Sequence, residues 1–80
     1  MPKFFVDTFD GRAVFDDDGY ELSNQTEAKD LVQRVLCDLM SREKVDRHGV
    51  RLRADVRNEA GALVMTARLV LTIDEFRSHL

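Results

Sequence analysis

Little in this sequence can staple, ligate or anchor. It has a single cysteine, Cys37, so no internal disulfide can form and no metal-ligand spacing exists. It has one proline, Pro2, and no tryptophan. Nothing beyond residue 2 therefore carries a proline's block on helix or strand. No apolar run is long enough to span a bilayer. Met1-Pro2-Lys3-Phe4 leads straight into an alternating stretch without the apolar core of a signal peptide, so a cytoplasmic protein is expected. No excess of positive charge is present either. The net charge of −3 argues against a dedicated nucleic-acid binder.

Eighty residues with 44% hydrophobic content make a single domain over 1–80, near the small end of what one core can hold. Charge is unevenly spread. Residues 1–30 hold an excess of acids and residues 31–57 an excess of bases. The two regions could pair within one chain or across a dimer.

The chain is organised around one stretch, Asn24 to Lys44. Ala28, Leu31, Val32, Val35, Leu36, Leu39 and Met40 recur at helical spacing, while Asp30, Gln33, Arg34, Ser41 and Lys44 take the opposite face. A helix over about 25–45 is predicted. Asn24 with Glu27 reads as a capping box, Ser23 as the competing cap, and Gly49 as the stop. Such a helix needs an apolar sheet to lie on.

Four strands are predicted around it. Residues 3–9 carry aromatics on both sides. Asp10-Gly11 is a turn signal, and 12–16 form a short return strand. Residues 50–57 alternate Val50, Leu52, Ala54, Val56 against Arg51, Arg53, Asp55, Arg57. Residues 62–73 form the last strand, and 74–79 a short C-terminal turn. A four-residue loop over Asn58–Gly61 is favoured, with Val56 opposite Leu63, because a three-residue loop would put Arg53, Asp55 and Arg57 on the apolar face. The fold class is α+β, β-β-α-β-β, a largely antiparallel sheet with one long helix on one face. The first and last strands, being the most apolar, are expected in the centre.

The opening Met-Pro-Lys-Phe-Phe-Val-Asp, then Asp10-Gly11, Asp16…Gly19-Tyr20-Glu21-Leu22, the Ala28-bearing helix and Val56-Arg57-Asn58-Glu59-Ala60-Gly61 also form a set. In this set the chain resembles a family of short alphaproteobacterial proteins, common in rhizobia, catalogued as a domain of unknown function. The resemblance covers nearly the whole chain. Asn58 stands where that family would have Asp. The resemblance implies a bacterial cytosolic protein and brings no activity, cofactor or catalytic residue with it.

Candidate chemistry is thin. Asp16-Asp17-Asp18-Gly19 lacks the ligand spacing of a calcium loop and reads as a solvated turn. Cys37 falls nearly opposite the apolar stripe, with no base or orienting group beside it. His48 and His79 sit in a turn and near the end. No cofactor or metal is expected, and the chain does not read as an enzyme.

Two surfaces remain. Arg51, Arg53, Arg57 and Arg68 form a basic ladder on the outer sheet face, a candidate phosphate-contacting surface. Phe5, Phe9, Val64 and Val70 form a candidate interface, since one helix cannot cover both faces of the sheet. The expected function is a protein-interaction or regulatory module acting as a homodimer, its partners being itself or another protein and no membrane. The alternative is a nucleic-acid-binding accessory protein using the arginines.

Overall fold

A computed structural model describes residues 1–77. The order is β1 (Lys3–Phe9), β2 (Ala13–Val14), β3 (Tyr20–Glu21), α1 (Gln25–Ser41), β4 (Val50–Arg57) and β5 (Leu63–Leu71). The fold is α+β: one antiparallel sheet in the order β2-β1-β4-β5, β3 pairing with β1, and one helix on one face. The predicted return strand 12–16 shrinks to β2, and Tyr20–Glu21 forms a further short strand. The last strand takes the edge of the sheet, and β4 stands beside β1 in the centre. The predicted turn over 74–79 lies partly outside the described residues, and 74–77 have no regular structure.

Phe4 and Val6 from β1, Leu52, Ala54 and Val56 from β4, and Ala28, Val32 and Leu36 from α1 form the buried core. Leu31, Val35, Leu39, Met40, Met65, Ala67 and Leu69 close around it. The helical stripe and the inward strand residues therefore meet as their periodicities require.

Asn24 is the helix cap. Its side chain accepts a hydrogen bond from the Glu27 N–H at 3.0 Å, and Glu27 reaches back to the Ser23 N–H. The helix stops at Ser41, earlier than its sequence pattern suggests. Seventeen helical residues span about 25 Å. The eight residues of β4 span roughly 26 Å, so helix and strand are matched in length. Beyond Ser41 the last turn tightens, the Arg42 and Glu43 N–H groups bonding to the Leu39 and Met40 carbonyls at 3.1 Å. Gly49 instead closes a turn, its N–H bonding to the Asp46 carbonyl at 3.1 Å.

The β4–β5 hairpin corrects the expected register. The Asn58 N–H donates to the Ala62 carbonyl (2.9 Å) and the Gly61 N–H to the Asn58 carbonyl (3.0 Å). The loop is thus the three-residue one, with Gly61 at φ +84° where a side chain would be strained. Arg57 stands opposite Leu63, but Val56 stands opposite Met65. Val64 is the extra residue of a bulge. The bulge restores the parity that the loop disturbs, so Ala54 meets Ala67 and Leu52 meets Leu69 on the helix side. Asn58 is suited to its place, since its side-chain oxygen also accepts the N–H groups of Ala60 (3.0 Å) and Ala62 (2.9 Å).

Candidate interaction surface

On the outer face of the sheet, charge and aromatic residues form a lattice. Along β1 run Phe5, Asp7 and Phe9. Along β4, directly opposite, run Arg57, Asp55 and Arg53. Each arginine lies over the ring across from it: the Arg57 guanidinium carbon is 5.1 Å from the Phe5 centroid, and that of Arg53 is 4.1 Å from the Phe9 centroid. Each also meets an acid. Arg57 grips Asp7 with two hydrogen bonds, 2.7 and 3.0 Å, and Arg53 lies 3.5 Å from Asp55. Thr66 on β5 donates to Asp55 at 2.9 Å. Phe15 stands edge-on to Phe9 at 6.0 Å.

Asp7 is the anchor of this lattice and is only 4% exposed. The Arg57 hydrogen bonds hold its carboxyl below the usual carboxylate value; burial opposes this, and the Asp16 N–H bonded to it at 3.0 Å adds to the lowering. Arg57 is raised in turn, first through its bond to Asp7.

The acidic run proves to be a staple for the β1 edge. That edge is covered by β3 at one end and β2 at the other. Between them the Asp16 carboxylate accepts the Val6 N–H at 3.1 Å and, on its other oxygen, the N–H groups of Asp18 (3.1 Å) and Gly19 (3.0 Å). Gly19 is pressed against β1, and a Cβ there would lie 2.9 Å from Lys3 Cγ and Phe5 Cε1. This edge is closed to strand addition.

The opposite edge, β5, is not closed. Among the described residues, its only hydrogen-bond cover from outside the β4–β5 hairpin is the Gln25 side chain on the Val64 carbonyl at 3.3 Å. Leu63, Val70 and Leu71 are exposed along it, and Ile73 and Phe76 follow at 53% and 90% exposure. Residues 72–77 take no part in any turn or loop backbone hydrogen bond among the described residues. An open groove of about 690 Å³ lies between this segment and Val45, Asp46 and Arg47.

The sequence-based surfaces are thus partly redrawn. Phe5 and Phe9 do lie on the outer face, but half-buried beneath Arg57 and Arg53. Val64 is removed from that face: the bulge turns it to the core, against which it packs. Val70 alone of the four is openly exposed. The arginines divide as well. Arg57 is locked to Asp7, and Arg53 is shared between Phe9 and Asp55. Arg51 and Arg68 are in no ion pair among the described residues, and Arg68 stands directly opposite Arg53. With Phe9 and Val70 these arginines line a shallow groove of about 410 Å³. Cys37 is exposed, His48 is exposed in a turn, and His79 lies outside the described residues. Among the described residues no three His, Cys, Asp or Glu side chains are grouped to hold a metal. Among them, too, no helix is long and apolar enough to cross a membrane.

The family model for the domain of unknown function DUF6894 matches residues 3–70. The chain belongs to that family. The matched span takes in all of β1 through β4 and β5 up to its last residue, so the lattice, the Asp16 staple and most of the open edge lie inside the family domain. Neither the curated proteins nor the solved structures give a match.

Proposed function

We propose that this DUF6894 chain is a non-enzymatic protein-interaction module that acts as a homodimer, in the cytosol of an alphaproteobacterium. The observation that supports it is the contrast between the two edges of the sheet. One is plugged residue by residue. The other presents nine strand residues with a single charge, Arg68, bordered by exposed Leu63, Val70 and Leu71. A long apolar edge of this kind is a template for another strand. Light scattering across a concentration series, at low and high salt, tests the reading. A mass of twice 9.2 kDa that survives high salt is expected. A mass of 9.2 kDa at every concentration overturns it.

A nucleic-acid accessory role is the second reading. It is favoured by Arg51 and Arg68, which have no ion-pair partner among the described residues and line the groove at Phe9. Against it, a sheet that binds single strands stacks bases on open rings, and here guanidinium groups lie over both. This reading predicts retention on nucleic acid at low salt that Arg51→Glu or Arg68→Glu abolishes.

A further inference from the structure

The open edge has an occupant that fits it: the C-terminal end of β5 from a second copy. Three features of the chain meet here, and each is unsatisfied by itself. The β5 edge lacks a strand partner. Residues 72–77 carry Ile73 and Phe76 into solvent. Arg53 and Arg68 stand directly opposite one another on the outer face, an unfavourable like-charge pair, and Arg68 has no acid of its own chain among the described residues.

Symmetry narrows the registers. When a strand pairs antiparallel with a second copy of itself, the two-fold axis runs through the sheet. Each residue then meets one that points to the same face. On β5 the even positions Thr66, Arg68 and Val70 point outward and the odd positions Ala67, Leu69 and Leu71 point toward the helix. The axis must therefore pass at a residue, pairing even with even. An axis at Arg68 opposes two guanidinium groups. Axes at Leu69 and Val70 place Arg68 against Val70 and Thr72, which carry no charge. An axis at Leu71 places Arg68 opposite Asp74. It also sets Leu69 against Ile73, Leu71 against itself and Val70 against Thr72.

We infer that two copies join through an antiparallel ladder over residues 66–76 of each, with the two-fold at Leu71 and Arg68 of each copy facing Asp74 of the other. This rests on the homodimer reading and specifies its interface. In this register the exposed apolar residues beyond Leu69 gain cross-strand neighbours, and each Arg68 gains the carboxylate that its own sheet withholds. Both helices lie on the same face of one continuous sheet, and the arginine–aromatic lattice continues across the other.

The experiment uses charge exchange and truncation, read by light scattering and by far-ultraviolet circular dichroism. Arg68→Glu sets carboxylate against carboxylate at both ends of the ladder, and Asp74→Arg sets guanidinium against guanidinium. Each variant alone should therefore dimerise roughly tenfold more weakly. Mixed in equal amounts, the two should form a heterodimer in which neither end of the ladder opposes like charges. There the carboxylate brought in by Arg68→Glu faces the guanidinium brought in by Asp74→Arg, and at the other end the native Arg68 faces the native Asp74. Wild-type affinity should return. A chain ending at Thr72 should keep its circular dichroism and lose the dimer. A wild-type monomer overturns both this inference and the homodimer reading. A dimer that survives truncation, or that ignores both charge changes, overturns the register and leaves homodimerisation standing.

Discussion

Asp7 shows how one side chain can decide what a face is for. Its neighbours on β1 are aromatic, and a carboxylate among them would be costly unless paired. The Arg57 fork and the Asp16 N–H supply the pairing. Because Arg57 is still 32% exposed, the pair is screened more than a fully buried one. Asp7→Asn should cost roughly 2 kcal/mol, less than the roughly 3–5 typical of deep burial, measured by urea denaturation. The pH dependence has a definite sign. The folded-state carboxyl is depressed, so its stabilisation is complete above the unfolded value near about 3.9 and is lost as pH falls toward and through the lower folded value. Wild-type stability should drop over that window, and the drop should be smaller in Asp7→Asn. At the helix start, Asn24→Ala removes the acceptor for the Glu27 N–H and should cost about 1 kcal/mol in the same assay.

At the scale of elements, the two edges and the hairpin show what local pattern can and cannot specify. The helix, the inward strand residues and the single-helix α+β class follow from helical and strand periodicity, which depend only on side chains near in sequence. The hairpin register does not. Parity argues against a three-residue loop, yet Asn58 and Gly61 favour that turn, and one extra residue at Val64 reconciles the two. A bulge has no distinct sequence signature here, so Val64 reads as outward when it packs inward. The same limit applies to the candidate surface. Phe5, Phe9 and the arginines can be assigned to one face from alternation, but that Arg53 and Arg57 would cover those rings depends on which strand lies beside β1. The apolar composition of 62–73 suggests a central strand; it belongs instead to an edge. Asp16 gives a direct test of edge closure. Its carboxylate accepts the Val6 N–H between the stretches of β1 that β3 and β2 cover, so Asp16→Ala should speed hydrogen exchange at Val6 by more than about tenfold while amides in β4 keep their protection.

For the molecule as a whole, the core is small for the surface it must organise. Among the described residues eight make up its buried apolar centre, and the outer face is held by a few charged and aromatic contacts. Domains of this size bury a modest fraction of their chain surface, and association is one way to add more. If the β5 edge is completed by a second copy, folding and dimerisation are linked, and thermal stability must depend on concentration. A roughly hundred-fold rise in protein is worth about 1.4 kcal/mol per chain when the folded species is a dimer. For a domain of about 80 residues that corresponds to an increase of roughly 5–10 °C in Tm. Reversible melts at two such concentrations should show that shift in the wild type. The chain ending at Thr72 should melt at one temperature regardless of concentration. An unshifted wild-type melt would mean that the edge stays empty and that the small core suffices alone.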